Sequence, residues 1–153
     1  MRTLAIDLGS RRVGLALSDE GGRFATPLDV LNVTSPEGAL DLVSKLIRRE
    51  AVQRIVIGLP LNMDDSSGPQ ARAAVEWGNK LRQQVHVPIL FVDERLSSFE
   101  AEQQLISRKR AGEKLTRQQK EEQLDALAAA SFLQAFLDGK LPPLDLGHPA
   151  AEP

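Results

Sequence analysis

Two runs of this chain, RIVIGLP at 54–60 and VPILFVD at 87–93, are apolar with almost no interruption. A strand that shows one face to water alternates apolar and polar residues. A run that does not alternate must be buried on both faces, which requires a sheet with helices on each side. The intervening segments supply that cover. TSPEGAL opens a helix: Ser35 is placed to cap it, Pro36 suits the first helical position, and Glu37 meets the positive end of the helix dipole. Leu40, Val43, Leu46 and Ile47 then form one apolar stripe. Pro69 begins a second helix running to about 85. SSFEAEQQLI begins a third, with Ser97 as cap and Glu100 as its capping-box partner. The most apolar helix spans about 120–137. Strands that alternate with helices imply right-handed parallel crossovers.

The start of the chain has a different rhythm. About 3–8 and 13–18 read as strands joined by GSRR, where the Gly permits a tight hairpin turn. FATPLDVLNV suggests a third strand, with Pro27 marking an edge or a bulge. The whole reads as an α/β protein with a mixed five-stranded sheet, three antiparallel strands and then two parallel ones, and helices on both faces. At 153 residues the chain fits a single domain, expected over 1–140. The remainder, 141–153, reads as a disordered tail.

Composition removes several classes of chemistry. There is no cysteine, which excludes disulfides and thiolate metal sites, and only two histidines, His86 and His148. Any metal must therefore be held by oxygen or imidazole ligands, and with so few histidines a hard cation on carboxylates is expected. No run approaches the ~20 apolar residues of a membrane span, and no signal peptide precedes the first strand. A soluble cytoplasmic protein with no membrane partner is expected. Net charge is −2, but Arg108, Lys109, Arg110, Lys114, Arg117 and Lys120 stand against Glu113 alone, a local charge of +5. A concentrated patch of that kind meets phosphates even on an acidic protein.

Ligands of open α/β sheets gather at the carboxyl ends of the parallel strands. Asp7 ends the first strand, Asp93 and Glu94 end the last, and Asp125 lies in the final helix on a stripe with Ala128, Ala129 and Phe132. A single acid at a strand end is commonly a turn former or a helix cap, and Asp93 has Arg95 nearby as an ordinary partner. The convergence of three acids on one sheet edge carries the inference. Close carboxylates in a poor dielectric need a counter-charge. One or two Mg²⁺ or Mn²⁺ ions would supply it, and two ions about 3.5–4 Å apart serve phosphodiester hydrolysis. Strand neighbours face opposite sides, and the longer reach of Glu94 favours it over Asp93, which is left as a supporting group behind the ligands.

AIDLGSRRVGLALSD, IVIGLPLNMDDSSGPQA, VDERLSSFEAE and DALAAASFLQAFL together resemble the YqgF family, also called RuvX, over about 3–137. Its members are described as pre-16S rRNA nucleases or Holliday junction resolvase-like proteins of the RNase H-like superfamily. The resemblance implies an RNase H-like fold and metal-dependent cleavage of structured nucleic acid, in bacteria at the 5′ end of the 16S rRNA precursor. It also implies Asp7, Glu94 and Asp125 as catalytic, metal-binding acids. In related junction resolvases a carboxylate also ends the fourth strand, where this chain has Gly58-Leu59-Pro60 and no acid. The second ligand is therefore expected from the next strand.

Arg11 and Arg12, in the hairpin turn near Asp7, are placed to meet a phosphate, and the basic residues from Arg108 to Lys120 offer a second contact surface. Asn62 and Ser66 offer hydrogen bonds to a substrate backbone. Five Phe, one Trp and no Tyr leave little for stacking on splayed bases, so backbone and shape readout is expected. The partner is structured RNA, with branched DNA as the alternative and a non-catalytic rRNA-binding module as a reading of another class. Monomer and homodimer both remain open.

Overall fold

The computed structural model describes residues 1–64, 66–95 and 117–146, and of 117–123 the backbone alone. The described strands are β1 (Thr3–Leu8), β2 (Arg12–Ser18), β3 (Ala25–Asn32), β4 (Arg54–Leu59) and β5 (Ile89–Asp93). They form one sheet in the order β3-β2-β1-β4-β5. β1 and β2 pair antiparallel, as do β2 and β3, whereas β1, β4 and β5 run parallel. This is the expected mixed sheet. Three described helices accompany it: α1 (Leu40–Arg49), α2 (Pro69–Arg82) and α3 (Arg117–Leu137). The helix expected from Ser97 lies outside the described residues.

The two faces of the sheet are built from different side chains. Leu4, Ile6, Val13, Leu15, Ile55 and Ile57 meet Val43, Ile47, Trp77 and Leu81 of α1 and α2 in one large core. On the other face the strands present Ala5, Ala16, Val56 and Val92 to Ala129, Phe132 and Leu133 of α3. Small strand residues on this second face let a helix lie close to the sheet. The approach is tight at Gly14, where a Cβ would collide with the Asp125 carbonyl. Asp125 is thereby held directly over β2.

The expected cap of the first helix does not form. Ser35 makes no side-chain cap bond, and Pro36–Ala39 make a 3-10 turn before α1 begins at Leu40. The indole N–H of Trp77 donates to the Pro36 carbonyl at 2.7 Å, so a packing contact claims an acceptor that a regular first turn would use. The tail also departs from expectation. The Leu144 N–H donates to the Phe91 carbonyl at 2.7 Å, and Leu144 and Leu146 pack on the core of α1 and α2. Its first residues are thus part of the fold rather than disordered, and 147–153 lie outside the described residues.

Candidate active site

Residues paired across neighbouring strands share a face. Asp7 pairs with Gly14, and Gly58 pairs with Val92, two residues before Glu94. Asp7, Arg12, Gly14, Gly58 and Glu94 therefore all point to the α3 side. Asp93 is one residue out of phase and points the other way. The strand periodicity alone thus separates the two acids of the VDER segment.

Glu94 lies just beyond β5, with its N–H donating to the Leu59 carbonyl at 3.2 Å in continuation of the ladder. A Cβ on Gly58 would stand 2.7 Å from Glu94 Oε2 and 2.8 Å from Phe132 Cε2. The end of β4, which carries no acid of its own, leaves the space into which Glu94 and Phe132 fit. Glycine inside a strand marks a close approach, and Gly14 and Gly58 both do so here.

The carboxyls of Asp7 and Glu94 lie close enough to perturb one another's ionisation. Loss of hydration raises the pKa of Asp7 above the usual carboxylate value, the side chain of Glu94 draws it down, and the charge of Asp125 raises it. Glu94 is pushed up to about 9, first by burial, then by the charge and side chain of Asp7, with smaller contributions from Asp93 and Asp125. Glu94 therefore keeps its proton far more readily than an ordinary glutamate. The pair is a desolvated site short of positive charge.

Asp125 is near enough to be felt by both acids, but its carboxylate is engaged elsewhere. Arg12 Nε donates to Asp125 Oδ2 at 2.6 Å, and both side chains are about one-third exposed, 33% and 28%. The expectation that three acids converge is met in placement, since all three lie on one face at one edge. It is not met in contact. Among the described residues, no group of three or more acidic or histidine side chains is disposed to hold an ion as it stands. Asp7 and Glu94 lie beside one another, and a guanidinium satisfies the third acid. The donor set itself suits a hard divalent cation: all oxygen, poorly hydrated and over-supplied with negative charge. Asp7, Glu94 and Asp125 are the residues that would hold it.

The remaining candidates divide between supporting and open roles. Asp93 accepts from Arg95 Nε at 2.9 Å and from its backbone N–H at 3.0 Å, which lowers its pKa. Arg95 Nη1 reaches on to the Asn62 carbonyl at 2.6 Å. Asn62 and Ser66 are exposed and bond one another. The Asn62 amide donates to Ser66 Oγ at 3.0 Å, and the Asn62 N–H donates to the Ser66 carbonyl at 2.9 Å. These contacts brace the loop after β4 against the end of β5. Arg11 is exposed at the hairpin turn, whereas Arg12 opens β2 and turns inward to Asp125. Arg108, Lys109, Arg110 and Lys114 lie outside the described residues. Arg117 and Lys120 fall in the first turns of α3, where the backbone alone is described. Sequence reasoning missed the pairing of Arg12 and the roles of Gly14 and Gly58. The two glycines within apolar strands were the available signal.

Comparison with known proteins agrees with this architecture. The family model RuvX, described as Holliday junction resolvase, matches residues 1–139. A protein of Anaeromyxobacter sp. (strain K) named "Putative pre-16S rRNA nuclease" is 42% identical over 142 residues, covering 93% of this chain and 100% of its own. One of the same name from Desulforudis audaxviator (strain MP104C) is 38% identical over 140 residues, covering 92% and 96%. Among solved structures, Thermus thermophilus RuvC superposes with a TM-score of 0.59 at 15% identity, covering 94% of this chain and 100% of that one. RuvC in complex with a Holliday junction substrate superposes with a TM-score of 0.58 at 17% identity. These superpositions establish the RNase H-like fold.

Proposed function

The chain belongs to the RuvX family, and on that premise we propose that it is a divalent-metal-dependent nuclease whose catalytic acids are Asp7, Glu94 and Asp125. The observation that carries the reading is the meeting of Asp7 and Glu94 at one place, set by the strand register and by the space that Gly58 leaves for Glu94. Two carboxyls from strands far apart in sequence meet at the carboxyl edge of the sheet, with Asp125 on the same face. One or two Mg²⁺ or Mn²⁺ ions held there would supply the Lewis acidity and charge neutralisation that phosphodiester hydrolysis needs. For this, Glu94 must ionise and Asp125 must turn from Arg12. Asp93 takes no direct part; paired with Arg95, it holds the end of β5 and the loop after β4.

The relatives' names support pre-16S rRNA as substrate; maturation of its 5′ end, a cytoplasmic role, is the reading we propose. Arg11 and the basic residues of 108–120 would contact phosphates. The family's description as Holliday junction resolvase supports a second substrate, branched DNA. The deciding experiment incubates precursor rRNA and four-way junction DNA with the protein in Mn²⁺, Mg²⁺ or chelator. Metal-dependent cleavage that falls by roughly a hundredfold or more in Asp7→Asn is the expected result. Binding without cleavage in every metal would make the protein a binding module instead.

A further inference from the structure

The site contains a cation of its own. Arg12 is fixed at the head of β2, two residues from Gly14, and Gly14 is where α3 presses Asp125 onto the sheet. The backbone of both partners is therefore set by regular structure, and their 2.6 Å contact does not depend on loop geometry. Asp125 needs such a partner, because two other acids stand on the same face at the same edge. A guanidinium and a metal ion satisfy a carboxylate in mutually exclusive ways, since each takes the same oxygen lone pairs.

We propose that Arg12 is a tethered counter-ion for Asp125 that a divalent cation must displace before the three acids can hold it. This rests on the metal-site reading given above. Arg12 is then a positioning residue that sets how tightly the site takes an ion. The pair is partly exposed, so its strength is that of a solvent-accessible, charge-assisted contact.

The test is a Mn²⁺ titration of the full chain, followed by the electron paramagnetic resonance signal of free Mn²⁺ with no nucleic acid present. Arg12→Gln should bind Mn²⁺ about three- to tenfold more tightly than the original protein while its metal-free Tm falls. Arg12→Lys, which keeps the charge but loses the planar fork, should fall between them. Arg11→Gln removes a neighbouring exposed charge and should shift affinity less than about twofold, which separates displacement from the general field. Equal or weaker Mn²⁺ binding by Arg12→Gln overturns the proposal and leaves the metal reading standing. If the unsubstituted protein does not bind Mn²⁺, both fall together.

Discussion

A glutamic acid that stays protonated to about pH 9 makes folding stability depend on pH in a direction opposite to that of most carboxylates. Glu94 ordinarily titrates at 4.5. Between that value and 9 the folded chain holds a proton that the unfolded chain has lost, so stability falls as pH rises through the window. Asp93, Asp64 and Asp19 shift the other way, and what they contribute is lost only as pH falls below the usual carboxylate range. The metal-free protein should accordingly have its highest Tm near pH 5 and lose several degrees by pH 9. Glu94→Gln should flatten that decline, and a melting series in chelator checks it. The convergence of Asp7, Glu94 and Asp125 was legible because strand parity and helical spacing fix which way a side chain points. The Arg12–Asp125 contact was not legible, since it joins positions 113 residues apart. Nothing in the dipeptide Arg11-Arg12 says which guanidinium turns inward.

At the level of elements, two helices end in the same way with different residues. After α3, the Lys140 N–H donates to the Ala135 carbonyl and the Gly139 N–H to the Phe136 carbonyl, with Gly139 at φ +75°. After α1, the Val52 N–H donates to Ile47 and the Ala51 N–H to Arg48, but the left-handed position is held by Ala51 at φ +53°. Both are Schellman closures, and only one has the residue that adopts this backbone without steric cost. Ala51→Gly relieves about 1–2 kcal/mol of left-handed strain against an entropic loss of about 0.4–1 kcal/mol. A net gain of about 0.5–1 kcal/mol is expected in urea denaturation, with the m-value unchanged. Ser35-Pro36 was legible as a helix start yet Ser35 forms no side-chain cap, because the Gly38 N–H donates to the Ser35 carbonyl in a 3-10 turn, while Trp77, 41 residues from Pro36, claims the Pro36 carbonyl. Strand identity and order were recoverable from apolar runs and turn residues. Termini are where tertiary contacts override such local signals.

Over the whole molecule, charge is distributed in a way that suits a polyanionic partner. The chain carries −2 overall, with +5 concentrated in residues 108–120. Replacing Lys109, Arg110 and Lys114 with Gln should weaken RNA binding and reduce its logarithmic salt slope by about 0.7–0.9 for each phosphate no longer neutralised. Filter binding from low to moderate salt reads that slope directly, and an unchanged slope removes the segment from the contact surface. A second whole-molecule property comes from the C-terminal residues that lie along β5. The outer carbonyls of that strand are occupied: Ile89 by the Arg82 guanidinium at 3.3 Å, and Phe91 by the Leu144 N–H. The last residues of the fold thus act as a guard rail that keeps a foreign strand from zipping onto the sheet. A chain cut after residue 140 should keep its helices and still self-associate, forming light-scattering particles at concentrations where the full chain stays dispersed.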